Sequence, residues 1–275
     1  MPYDPTIYLG AAAHYARGRP PYSRLLASTL AVELGLDGRG RLLDVGCGPG
    51  VLTLELADRF DEAIGLDPDA EMLAEAARRA GATSTCGVRW VRAVAEDIPA
   101  LGLGTFRLVT FGQSFHWMGR ERVAEAVYDI LEPGGAVALV AHQWKDRPQP
   151  KRPGHPPIPH EAIRAVIDAH LGPQRRAGQG LAAPPSDGNE AALARTRFGM
   201  PRAVYAPGRP DIVQDVDAVI ANYLSTSFAA PHLFGERLDA FVTDVRVELE
   251  ARSPSGLFWD WPGDTVILLA SKPAR

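Results

Sequence analysis

Gly46, Gly48 and Gly50 stand two residues apart in the stretch LLDVGCGPGVLTLELA. Glycines at this spacing let the backbone turn sharply and meet a ligand with no Cβ in the way. The apolar residues before the turn read as a strand and those after it as a helix, whose first turn carries free N–H groups. Such a turn receives the polar part of a nucleotide-bearing cofactor. Asp67 ends the next apolar run, at the distance past the glycines where a carboxylate holds ribose hydroxyls. Pro49 removes an N–H inside the turn, which serves a pyrophosphate poorly. The other chemistry is histidine. His116 and His142 each follow a later apolar run, and an imidazole that titrates near neutrality suits a proton acceptor. Trp117 and Trp144 lie beside them and are expected to stack on an acceptor.

The elements that must position these residues alternate. Helical spacing covers Tyr22–Leu36, Val51–Phe60, Asp69–Ala80 and Arg120–Leu131, with Gly81 as the expected stop of the third. Strands are expected at Arg41–Val45, Ala63–Leu66, Val88–Val94, Phe106–Phe111 and Ala136–Ala141. The pattern predicts an α/β fold: a Rossmann-like, doubly wound, mostly parallel sheet with helices on both faces. Ligands of such sheets occupy the crevice at the carboxyl ends of the strands, where His116 and His142 both fall.

After His142 the rhythm changes. Gln143–Pro159 reads as a Pro-rich linker, Pro159–Leu171 as a helix, and Gly172–Gly188 as a mobile loop without regular structure. Helices are expected at Gln214–Leu224 and Glu236–Arg252, and a last strand at Thr265–Ala270. Four regions result. Residues 1–40 form an N-terminal lid and first helix, and 41–142 the cofactor-binding core. Residues 143–207 form an inserted, mainly helical cap with its linker, and 208–275 the helices and strand that complete the sheet edge.

Several of these stretches resemble the class I S-adenosylmethionine-dependent methyltransferases. Leu42 to Gly50 is similar to their motif I, Gly65-Leu66-Asp67 to motif II, and Ala95-Glu96-Asp97-Ile98-Pro99 to the adenine-side motif. Leu131-Glu132-Pro133-Gly134-Gly135 resembles their turn before strand five. Tyr15-Ala16-Arg17-Gly18-Arg19-Pro20-Pro21-Tyr22 and Ser114-Phe115-His116-Trp117 resemble the type 11, ubiquinone/menaquinone-type small-molecule branch. The resemblance covers roughly residues 24 to 142 and implies S-adenosyl-L-methionine as cofactor, with S-adenosyl-L-homocysteine as product.

Carried over residue by residue, it implies that Gly46, Gly48 and Gly50 line the methionine part and that Asp44 sits near the amino group. Asp67 then holds the ribose, Ala95 and Glu96 flank the adenine, and Gln113 offers a main-chain contact near the sulfonium. Tyr15 belongs to the lid over the cofactor, with Tyr22, Trp117 and Trp144 toward the acceptor. Val94 departs from the polar residue common among relatives, which leaves the adenine contact to Glu96.

The expected acceptor is a small molecule, a bacterial secondary metabolite with an aromatic ring or a carboxylate, methylated on O, N or C. Two alternatives stay open: a fold-alike that binds the cofactor without methyl transfer (a pericyclase or binding module), and an NAD-dependent oxidoreductase. The formal charge of −4 argues against a nucleic-acid partner. No apolar run is long enough for a membrane span, and Cys47 and Cys86 suit a reducing compartment, so a cytoplasmic location is expected. No Cys or His spacing suggests a metal site. Nothing in the sequence sets an oligomeric state.

Overall fold

The computed structural model describes residues 4, 6–83, 85, 87–143, 154–178, 180, 181 and 187–274. In chain order these fold as α1 (Ala12–Gly18), α2 (Leu26–Leu34), β1 (Arg41–Val45), α3 (Val51–Leu56), β2 (Glu62–Asp67), α4 (Ala70–Thr83), β3 (Val88–Arg92), β4 (Phe106–Gly112), α5 (Arg120–Ile130) and β5 (Leu131–His142). The second half adds α6 (His160–Leu171), β6 (Arg176–Ala177), β7 (Gly180–Leu181), α7 (Asn189–Ala194), β8 (Arg202–Ala206) and β9 (Val213–Asp215). It closes with α8 (Val216–Leu224), α9 (Pro231–Phe234), α10 (Leu238–Glu250), β10 (Leu257–Trp259) and β11 (Thr265–Ser271).

The central sheet has seven strands in the order β3-β2-β1-β4-β5-β11-β8. Strands β1 to β5 pair in parallel, whereas β11 runs antiparallel to both β5 and β8. Side chains alternate across the pleat and supply one apolar layer on each face. Leu43, Val45, Ile64 and Leu66 join α5 and α7 on one side; Leu42, Ala63 and Leu108 join α2 and α3 on the other. This is the Rossmann-like, mostly parallel architecture that the alternation predicts.

Three local expectations are corrected. Helix α4 runs through Gly81 to Thr83, because Gly81 is exposed, meets nothing nearby and serves no turn. Within Gly172–Gly188, Arg176–Ala177 and Gly180–Leu181 pair as a short antiparallel ladder, with Gly178 supplying the positive φ between them. Strand β8 was not expected. It is a sheet edge on which only Ala206 is fully buried, so the alternation that marks a half-buried strand is missing.

A third apolar cluster joins Ile163 and Ile167 of α6 to Val219 of α8 and Phe241 and Val245 of α10, so the helical cap draws on residues beyond 207 as well, while β8 within 143–207 belongs to the main sheet. Phe234 stacks on Phe241 at 4.0 Å. The N-terminal segment is gripped between this cap and the core. Gly18 of α1 lies so close to α8 that a Cβ would stand 2.0 Å from the Asn222 nitrogen. On its other side Ala11 and Ala12 pack on Met72 of α4. Among the described residues, no helix is long and apolar enough to cross a membrane.

Candidate functional site

Strand order reverses beside β1, which lies between β2 and β4, so a crevice opens at the carboxyl ends of β1 and β4. The glycine turn leaves β1 there. Gly46 (φ 65) is pressed against Ser114, where a Cβ would stand 2.5 Å from that side chain. Gly48 (φ 52) has nothing within 4 Å of its Cβ position and therefore faces open space. Gly50 does different work. Its Cβ would stand 2.6 Å from the Trp90 ring, which also covers Gly65 on β2.

One cleft of about 790 Å³ runs from the turn toward β2, lined by Tyr8, Tyr15, Asp67, Met72, Glu96 and Trp117 among others. The Asp67 carboxylate accepts from the Gly48 N–H at 2.8 Å and the Asp69 N–H at 2.9 Å, so it ties the turn to β2. Burial pushes its pKa up to about 6, against the pull of those two donors. Glu96 accepts from the Gly119 N–H at 2.8 Å. The buried indole nitrogen of Trp117 lacks a hydrogen-bond partner at ordinary distance, and the ring meets Tyr8 edge-on at 6.0 Å.

A second cleft of about 680 Å³ lies on the other side of Gly46, with Arg19, Tyr22, Asp44 and Arg79 on its walls. Asp44 accepts from Thr53 Oγ1 at 2.6 Å and Thr110 Oγ1 at 2.8 Å, and its burial also raises its pKa to about 6. Arg19 donates to the Ser225 carbonyl at 2.8 Å and lies over Tyr15, while its buried Nε has no partner. A third pocket, about 540 Å³, is walled by Phe111, Phe115 and Leu139 and carries His116, His142 and Asn189.

Gln113 borders all three spaces. It follows β4 with φ 55, the one positive value outside glycine among the described residues. Such a backbone costs energy for a residue with a Cβ and persists where the surroundings fix it. Here its N–H donates to the Val140 carbonyl at 2.9 Å, which ties β4 to β5.

Of the residues singled out in the sequence, Tyr15, Asp44, Gly46, Gly48, Asp67, Glu96 and Gln113 come together around the first two clefts. Gly50 and Ala95 do not: Gly50 makes room for Trp90, and Ala95 is 4% exposed in the core while Val94 and Glu96 line the cleft. Trp117 lines the cleft with Asp67 whereas His116 lines the third pocket, although the two rings meet at 4.9 Å across the short helical turn Phe115–Trp117. Trp144 and Cys86 lie outside the described residues.

His142 is 5% exposed, stacks on Tyr22 at 5.0 Å and donates from Nε2 to the Pro20 carbonyl at 3.2 Å. Burial pulls its pKa down to about 4. The pKa of His116 also falls, first through burial and then through the charges of Arg120 and Arg175. Tyr8, Arg19 and Met72 were missed. Arg19 stands inside the Tyr15–Tyr22 stretch, so its place in the sequence was a usable signal; Tyr8 and Met72 carry none. Among the described residues, no group of His, Cys, Asp and Glu side chains is arranged to hold a metal ion.

Residues 42–135 match the family model of the methyltransferase domain. This stretch carries the methyltransferase domain, and a relative from Saccharomyces cerevisiae that is 30% identical over 129 residues is named a probable S-adenosylmethionine-dependent methyltransferase. The trans-aconitate 2-methyltransferase of Streptomyces avermitilis is 35% identical over 166 residues, which covers 53% of this chain and 59% of that protein. The matches span about half the length of the first curated relatives, from 44% to 59%. A methyltransferase of Thiobacillus denitrificans, solved with S-adenosyl-L-homocysteine, aligns over 95% of this chain and 96% of its own (TM-score 0.52, 16% identity). The [4+2]-cyclase SpnF aligns over 98% and 94% (TM-score 0.55, 19% identity). Both structures attest the fold alone. The cofactor of this family is S-adenosyl-L-methionine, and the donor set fits it. The Asp67 carboxylate borders the first cleft, and Arg19, whose buried Nε has no hydrogen-bond partner, borders the second, so polar groups are present for both the ribose and the amino-acid part of such a molecule.

Proposed function

We propose that this protein transfers the methyl group of S-adenosyl-L-methionine to a small molecule held in the pocket of His116 and His142. The observation that carries this reading is the meeting of three clefts at Gln113. Two of them match the two ends of the cofactor, and the third brings an acceptor to the same residue.

In this reading Asp67 takes the ribose hydroxyls, and Val94, Glu96 and Trp117 surround the adenine. Asp44 faces the ammonium and Arg19 the carboxylate of the methionine part. The cofactor supplies a methyl on a positively charged sulfur. The chain's own part is to hold the acceptor in line and keep water out, with Tyr8 and Tyr15 of the lid closing over the site. Both histidines are neutral at pH 7 because burial lowers their pKa. An imidazole with so low a pKa is a weak base, so positioning carries more of the rate than proton transfer. An acceptor with an aromatic ring or a carboxylate suits the pocket, and bacterial secondary metabolites are the class to search. The relative named for trans-aconitate, a small acid, supports a small acceptor.

The test is incubation with S-adenosyl-L-methionine labelled in its methyl group and small-molecule fractions, read by mass spectrometry. Label should pass into a small molecule in step with S-adenosyl-L-homocysteine. An acceptor rearranged without label would assign the protein to cofactor-bound cyclisation and overturn methyl transfer.

A further inference from the structure

The third pocket is lined by side chains of two kinds. Phe111, Phe115, Leu139 of β5, and Val266 and Leu268 of β11 supply apolar walls. The polar lining is Gln113, Ser114, His116, His142 and Asn189, and among the described residues no lysine, arginine or carboxylate joins it. Two of these polar groups are already used. Ser114 donates its hydroxyl to the Val45 carbonyl at 2.6 Å, and His142 is bonded to the Pro20 carbonyl and stacked on Tyr22. Gln113 stands at the junction with the two cofactor clefts. His116 meets the Trp117 ring, yet neither its imidazole nor the Asn189 carboxamide has a hydrogen-bond partner among the described residues.

Asn189 is held in place from both sides. Just before it, Arg120 of α5 donates to the Asp187 carbonyl at 3.0 Å, the Gly188 carbonyl at 3.2 Å and the Asp187 carboxylate at 2.5 Å. Arg195, beyond the far end of α7, donates to the other oxygen of that carboxylate at 2.5 Å. Just after Asn189, Ala192 and Leu193 are buried in the cluster that holds Phe115 and Val123. The Arg120 side chain is only 11% exposed, so its charge is committed to this clamp and is not offered to a ligand.

A carboxamide offers an N–H pair and a carbonyl oxygen, and a neutral imidazole offers one N–H and one lone pair. Such groups suit a partner that both donates and accepts, which a hydroxyl does and a carboxylate does not. A carboxylate set among apolar walls with no counter-charge would be costly to bury. We infer that Asn189, together with His116, recognises an uncharged hydroxyl on the acceptor, whose apolar, ring-sized body fills the rest of the third pocket. The role is recognition, and Asn189 takes no part in the methyl step. The inference rests on reading that pocket as the acceptor site. It narrows the acceptor from an aromatic or carboxylate-bearing molecule to an apolar hydroxyl compound.

NMR titration of the S-adenosyl-L-homocysteine complex at neutral pH tests it with three probes of similar shape: para-cresol, para-xylene and para-toluate. On the unsubstituted protein para-cresol should bind about three- to tenfold tighter than para-xylene, as one hydrogen bond between neutral groups allows. The para-toluate anion should bind more weakly than either. Asn189→Ala should weaken para-cresol by about three- to tenfold and leave para-xylene and S-adenosyl-L-homocysteine as they were. Asn189→Ser, which keeps a donor and an acceptor, should restore part of the loss. Equal binding of para-cresol and para-xylene, tightest binding of para-toluate, or no saturable binding of any probe would overturn the inference. So would a para-cresol preference that survives Asn189→Ala. Failure of the unsubstituted protein to bind S-adenosyl-L-homocysteine would instead sink the proposed function beneath it.

Discussion

The carboxyl ends of β1 and β2 and the helical cap lie on either side of the N-terminal segment, and they are held together by different physics. On the cofactor side, backbone geometry decides. Gly46 and Gly48 take positive φ, and Asp67 is fixed by two main-chain N–H groups. On the cap side, apolar burial decides, through Ile163, Val219, Phe241 and their neighbours. The first kind of structure allows few residue types at few positions. The second allows any apolar residue that fills the volume. Substitutions should therefore separate cleanly: cap changes cost stability, and cofactor-side changes cost affinity.

The cap supplies the largest expected effect. Phe241 is fully buried and stacked on Phe234, so Phe241→Ala should destabilise the protein by about 3–5 kcal/mol through loss of burial and a residual cavity. Chemical denaturation measures it, and affinity for S-adenosyl-L-homocysteine at low denaturant should stay unchanged. A large loss of affinity without loss of stability would erase the distinction between the two regions.

The glycine turn sharpens the comparison within itself. Gly46→Ala should cost about 1–3 kcal/mol of stability from overpacking against Ser114, with the positive φ adding strain. Gly48→Ala should fold with a smaller loss, because its Cβ enters open space, and should instead weaken the cofactor. Parallel denaturation and calorimetry on the two variants distinguish these outcomes; equal effects in both would contradict the assignment of Gly48 to the cleft.

Asp67→Ala should weaken cofactor binding by about 1.5–3 kcal/mol for each charged hydrogen bond to ribose that it removes. Unchanged affinity with collapsed stability would reduce Asp67 to a brace for the Gly48 turn.

The smallest effect is with pH. In the free protein Asp44 and Asp67 both have pKa values raised from 3.8 to about 6. Bound ammonium and hydroxyl groups favour the charged carboxylates, so affinity should be full above about pH 6 and fall as pH drops through that value. For these groups the free protein's stability runs the other way, declining as pH rises from about 4 to 6, because the native state holds protons that the unfolded chain has released. Calorimetry across pH should show about a tenfold loss of affinity per unit below pH 6 for each carboxylate that must ionise. A flat profile would mean that neither carboxylate meets the cofactor.

The same division explains what the sequence disclosed. The glycine turn, Asp67 and the β–α alternation were legible because backbone geometry restricts them to recognisable residues at set spacings. The third glycine was legible as a glycine but not as a partner of Trp90, since that contact crosses from α3 to β3 and has no local signature. Trp117 was placed with His116 because they are neighbours in sequence; their rings do meet at 4.9 Å, yet Trp117 lines the Asp67 cleft and His116 the third pocket. Strand β8 escaped because an edge strand with only Ala206 fully buried lacks the alternation that marks a half-buried strand. Asn189 reaches the pocket of His116 beside a clamp between Arg120 and Asp187 that spans 67 residues, so only the folded chain brings it there.

A crystal structure of the complex with S-adenosyl-L-homocysteine tests the central claim most directly. The sulfur should lie beside Gln113, facing the pocket of His116 and His142. The amino-acid part should reach Arg19 and Asp44, and the ribose hydroxyls should meet Asp67. A sulfur turned away from that pocket, or a cofactor bound outside the two clefts that meet at Gln113, would contradict methyl transfer at this site.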